Sequence, residues 1–244
     1  MKTKTSIQLS KILGVLIGFP IIATLISIIL SSQPVISGID LKSLNSFLDA
    51  YYLNNVLIIS WYLLQLYIIS RILKASNWSW SDIGIALSKK KMIYSIIGYL
   101  IIAFGLLIFI EMALAKSTIN VEKLNLIPSF SPKTTTARVI FIFLVLVAGI
   151  VEEIVYRGFA IKSLISHKVN KWLAVLIASI PFIFQHGMRA IDSITGNGIW
   201  VGWYFAWGII FGAIFLFSKK LYINIIIHWL VILSAMVSIL QVIE

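Results

Sequence analysis

Residues 139–159 read VIFIFLVLVAGIVEEIVYRGF. Thirteen uncharged residues, Val139 to Val151, lead into two adjacent glutamates, and Arg157 follows the second glutamate by four positions. An apolar run of this length, extended to Tyr156, approaches the ~20 residues that a helix needs to cross a bilayer. Carboxylates inside such a run are costly, so they mark function by default. Glu153 and Arg157 stand at i,i+4 with the acid first, the favourable order for a helical ion pair. Glu152 points about 100° away on an α-helix, so Arg157 does not obviously neutralise it. One carboxylate is expected to be structural and the other free to act as a general base.

The rest of the chain sets the same scene. Its 244 residues are 60% hydrophobic and 12% charged, with mean hydropathy +1.01. A soluble domain is about half apolar and about a quarter charged. Ordinary soluble enzymes, disordered tails and fibrous proteins are excluded on that ground. With no cysteine, disulfides, thiolate metal clusters and cysteine nucleophiles are excluded too. The net charge of +11 is carried by basic residues between apolar runs. They read as membrane-flanking topology signals that meet lipid headgroups, not as a nucleic-acid surface.

Seven spans are expected, at 12–30, 51–73, 92–115, 139–156, 172–186, 199–217 and 221–243. The fold class is therefore all-α: a polytopic transmembrane bundle forming a single membrane domain over 1–244. Helices 1–3 lie in 1–137, and the C-terminal four helices in 138–244 form a cavity. With the N-terminus inside, fourteen of the twenty Lys and Arg fall on the inner side and six on the outer. That split favours N-in and C-out. Segment 187–198, with Gly187, Gly196 and Gly198, is expected to cover remaining membrane depth irregularly. Gly208 and Gly212 form G-x-x-x-G and read as close packing within the chain. Trp200, Trp203, Tyr204 and Trp207 read as an interfacial belt and bundle core. Glu111 and Glu244 also fall in or beside apolar runs, without a motif.

Two further polar elements matter. Phe182-Ile183-Phe184-Gln185-His186 places a histidine at the end of span 5. A polar turn at Asn170 makes spans 4 and 5 an antiparallel hairpin. Glu152 and His186 then lie at similar height, about 25 Å from that turn. On the last span, Asn224 and His228 share a helix face at i,i+4.

Together these residues resemble the CPBP family of CAAX proteases, bacteriocin-processing enzymes and Abi-type membrane proteins. The matching patterns are E-E-x-x-x-R at Glu152, Glu153 and Arg157, F-x-x-x-H at Phe182 and His186, and a late H-x-x-x-N/D that keeps His228 but has Ile232 at the N/D position. The resemblance covers about residues 138–243. It implies an intramembrane endopeptidase of glutamic type. Glu152 would activate water, His186 would position it or share its proton, and His228 would stabilise the oxyanion. Glu153, Arg157 and Phe182 would support them, with Asn224 as a stand-in for the N/D residue. No cofactor is implied; an older reading makes Glu152, His186 and His228 zinc ligands. The expected partners are a lipid bilayer and a peptide or membrane-anchored protein substrate, with no nucleic acid. The setting would be a bacterial cytoplasmic membrane, the role bacteriocin or signal-peptide processing or self-immunity. Two other readings compete: a non-catalytic immunity or interaction protein, which Ile232 favours, and a small ion or proton-coupled transporter lined by the same acids and histidines.

Overall fold

Helix length here follows the apolar runs, and polar residues set the turns. The protein, represented by a computed structural model, is described over residues 4–31, 47–86, 89–116, 134–196 and 198–241. Glu244, the side chain of Glu111 and most of the basic 116–138 loop lie outside the described residues. Among the described residues the chain is helical, without strands: α1 (Leu9–Ser31), α2 (Phe47–Ala75), a 3-10 turn (Trp80–Ile83), α3 (Lys89–Lys116), α4 (Thr135–Glu152), a π-helical segment (Glu153–Ile161), α5 (Lys162–Ser166), α6 (Lys171–Phe184), α7 (Met188–Thr195), α8 (Ile199–Ser218) and α9 (Leu221–Gln241). A helix stands at each of the seven expected places. Four stretches (α1, the 55–75 part of α2, the continuous α4–π–α5 rod, and α8) are long and apolar enough to cross a membrane, while α3, α6 and α9 carry shorter apolar runs. Ile17, Leu63, Ile101 and Phe217 turn outward, as lipid-facing side chains do. These are the features of an integral membrane protein.

The helix ends have local causes. The Thr134 hydroxyl accepts from the Ala137 amide at 3.1 Å and starts α4. Asn170 caps α6 in the same way, accepting from Trp172 N at 2.9 Å; such caps satisfy donors that the first turn leaves free. The rod therefore runs to Ser166, reverses over His167–Asn170, and returns as α6, the expected hairpin. Two expectations need correction. The chain does not remain α-helical through Arg157: Glu153–Ile161 is wound as a π-helix, with all nine residues buried. Such i→i+5 winding is rare and recurs at functional sites. Segment 187–198 is also more regular than expected. Gly187 turns the chain at φ 62°, a conformation glycine adopts without strain, and α7 follows directly. The Ser193 hydroxyl then accepts from Trp200 N and Val201 N at 3.0 and 3.2 Å, capping α8.

The two glycines of G-x-x-x-G seat α8 on α6. A Cβ at Gly208 would stand 2.8 Å from the Ser179 Cβ, and one at Gly212 would stand 2.4 Å from Val175 Cγ1. The motif is thus used inside the chain. Gly212→Leu is expected to lower stability by about 1–3 kcal/mol through overpacking, read as a fall in the thermal midpoint in detergent; an unchanged midpoint would mean the helices are not in contact here.

One end of the bundle is tied together by the N-terminal residues. Thr5 N donates to the Ser76 carbonyl at 3.2 Å, Trp78 Nε1 donates to the Thr5 carbonyl at 2.9 Å, and His167 Nε2 donates to the Ile7 carbonyl at 2.7 Å. Leu221 N donates to the Gly84 carbonyl at 3.1 Å, bringing the α8–α9 turn to the same end. Lys4 Nζ donates to Asp82 at 2.6 Å. That hydrogen bond, helped by the Ser79 amide, holds the Asp82 carboxyl down to about 2 from its ordinary 3.8. A depressed carboxyl stabilises the fold fully above its unfolded value and loses the contribution as pH falls through the folded one. Protection of the Thr5 amide against hydrogen exchange is therefore expected to hold from pH 7 to about pH 4 and to decline toward pH 2. A decline already complete at pH 5 would contradict the assignment.

Candidate active site

Five elements converge on the end of α4. Glu152 is its last residue, 2% exposed, and Glu153 opens the π segment fully buried. Two neighbouring carboxylates without water around them need partners, and each has its own. Arg157, four residues on, brings its guanidinium Nη1 to 3.1 Å from Glu153 Oε1. Its Cζ lies 4.2 Å from the Phe182 ring centroid and 5.2 Å from that of Phe211. Its Nη2 reaches the Trp207 carbonyl at 3.5 Å.

Glu153 also collects two donors from α9. His228 Nδ1–H donates to its Oε1 at 2.9 Å, and the Asn224 amide donates to its Oε2 at 3.0 Å. The second Asn224 hydrogen goes to the Phe211 carbonyl at 2.7 Å. Both amide hydrogens are spent, so the expectation that Asn224 stands in as an oxyanion donor is not met; Asn224 braces Glu153 instead. Ile232, at the place of the N/D residue, packs in a separate apolar cluster with Tyr99, Phe141, Val145 and Trp229. The geometry assigns both a partner and a tautomer to His228. Because Nδ1 carries the hydrogen toward Glu153, Nε2 faces Glu152, 3.6 Å from its Oε2. That gap is too long for a direct hydrogen bond and short enough for one oxygen atom to touch both groups.

Glu152 Oε1 accepts a short hydrogen bond from the Tyr62 hydroxyl of α2. The sequence reading, which followed charged residues and histidines, missed Tyr62. It also missed Gln185, whose Oε1 accepts from the Tyr156 hydroxyl at 2.9 Å, and Gln65, fully buried with neither amide atom hydrogen-bonded. The signal was present in α2: Tyr62, Gln65 and Ile69 recur at helical spacing on the buried face of an otherwise apolar helix.

His186 stands in the turn after α6, against the Phe182 ring at 5.2 Å between centroids. Its Nδ1–H points at the Phe182 and Ile183 carbonyls, at 3.0 and 3.3 Å, which leaves Nε2 as its free lone pair. The ring stacks on Tyr204 at 3.6 Å, nearly parallel. Tyr204, expected in an interfacial belt, is therefore buried beside the site, while Trp200 and Trp203 are about half exposed. Phe182 is the common wall, touching Tyr156, His186, His228 and Arg157.

The zinc reading asks Glu152, His186 and His228 to converge on one ion. Among the described residues no group of three or more His, Asp and Glu side chains is arranged to hold a metal. Glu153 and the backbone engage Nδ1 of the two imidazoles, and the Tyr62 hydroxyl engages one oxygen of Glu152, so any ion here would be held by the two Nε2 atoms and Glu152 Oε2.

Residues 134–233 match the family model described as Rce1-like, type II CAAX prenyl endopeptidase. The match falls on the stretch that carries the motif resemblance; Tyr62 and Gln65, on α2, lie outside it. It is consistent with a CPBP-type intramembrane protease. No curated protein and no solved structure matches the chain.

Proposed function

We propose that this Rce1-like segment makes the protein an intramembrane endopeptidase in which Glu152 is the general base. The observation that carries the reading is the placement of His228 between the two carboxylates: Nδ1–H is bonded to Glu153, and Nε2 is turned to Glu152. A water molecule between Glu152 Oε2 and a substrate carbonyl loses a proton to the carboxylate as its oxygen attacks carbon. The developing oxyanion needs a donor already in place. His228 Nε2 is the ring atom placed to supply it, with Glu153 holding the ring from behind through Nδ1. The proton held by Glu152 then passes to the departing amine as the C–N bond breaks, His186 Nε2 lying nearby to share it. In this arrangement His228 does without the N/D residue that Ile232 replaces.

The substrate on this reading is a short peptide or a membrane-anchored protein cleaved close to the bilayer, of the kind matured in bacteriocin or signalling-peptide processing. The test is cleavage of fluorogenic membrane-proximal peptides by the purified protein in liposomes, with and without a chelator. Turnover that survives chelation supports the reading. Turnover that is lost on chelation and restored by zinc overturns it. A native chain that cleaves none of the panel, and whose cellular phenotype survives Glu152→Ala, is a non-catalytic relative. Proton-coupled flux in the same liposomes would mark a transporter.

A further inference from the structure

Helix α2 lies outside the matched segment 134–233, yet it supplies the hydrogen-bond donor to the proposed base. The question is which way the hydrogens in that contact run. A carboxylate only accepts, so the hydrogen of the Tyr62 hydroxyl goes to Glu152 Oε1.

We propose that Tyr62 is a positioning residue of the active site: its hydroxyl engages Glu152 Oε1 and turns Oε2 to the water and to His228. This role rests on the reading of Glu152 as the base. It also gives the N-terminal half of the chain a part in catalysis: α2 holds the carboxylate that α4 carries.

Tyr62→Phe keeps the ring and deletes the hydroxyl. In the liposome assay kcat is expected to fall about 10- to 100-fold, the worth of a hydrogen bond to a charged group, with KM within twofold and the thermal midpoint little changed. A kcat for Tyr62→Phe within twofold of the native chain overturns the proposal. Turnover that persists in Glu152→Gln overturns the reading of Glu152 instead. A second readout needs no turnover: labelling by a hydrophobic carbodiimide, mapped by mass spectrometry, with Glu153 as internal reference. Labelling of Glu152 relative to Glu153 is expected to rise about threefold or more in Tyr62→Phe, as the carboxylate loses its donor. An unchanged ratio shows that Tyr62 does not hold Glu152.

Discussion

Glu152→Gln is expected to lower peptide cleavage by about 10²–10⁴-fold, the usual worth of a positioned general base, while leaving the protein folded. Glutamine fills the same volume, and its carbonyl oxygen still accepts from Tyr62. Its NH2 group takes the place of Oε2 beside Nε2 of His228. The variant thus keeps the contacts and loses only the ability to take a proton from water. Glu152→Ala provides the contrast: it loses the same activity and also strands the buried Tyr62 hydroxyl, a further cost of about 1–3 kcal/mol. Rates on the fluorogenic panel beside thermal unfolding curves separate the two effects. A glutamine variant that keeps more than a tenth of native turnover would remove Glu152 from the chemistry.

The largest stability effect is expected at Glu153. Arg157, His228 and Asn224, from two elements, all terminate on its carboxylate. Glu153→Ala leaves a fully buried guanidinium without its counter-ion, and breaking a buried pair from one side costs about 3–5 kcal/mol. Poor accumulation in the membrane and a steep fall in the melting midpoint are expected. Arg157→Met alone is also expected to destabilise, because the buried Glu153 carboxylate then loses its guanidinium counter-ion. Glu153→Gln with Arg157→Met removes both charges together and is expected to recover much of the stability. It is not expected to recover cleavage, because His228 has lost the carboxylate that fixes its tautomer. Melting midpoints of the three variants, with expression level, check this; an alanine variant within about 1 kcal/mol of the native chain would show that the ion pair is not buried in the membrane-embedded protein.

The apolar runs reported the helices well, because a bilayer-length run leaves the backbone little choice but to satisfy itself. Glu153 with Arg157 was legible from spacing alone, and the hairpin that aligns Glu152 with His186 was legible from the polar turn at Asn170. Residues that announce themselves by neither charge nor spacing were not legible. Tyr62 lies 90 residues from Glu152 in sequence, and a tyrosine in an apolar helix looks like any other core residue until its neighbour is known. Tyr204 was hidden for a related reason, since five aromatics in eight residues look like a belt and only packing decides which one turns inward. The π winding has no residue signature here. It emerged because the segment is buried on every side and its polar groups are paid for by tertiary partners. Asn224 was found but given the wrong task, because sequence shows that an amide is present and not where its hydrogens go.

The contacts of the first helix bear on how the protein is made. Ile7 is held by His167, and Thr24 reaches the Phe184 carbonyl at 3.4 Å; each pair is separated by 160 residues. At a synthesis rate of about 5–20 residues per second, α1 waits on the order of ten to thirty seconds for these partners to leave the ribosome. By then α2, α3 and the helix bearing Glu152 have been made, but the helix bearing His228 has not. The proposed site is completed in one late step, when the last helix brings His228 against a pair of glutamates already in place.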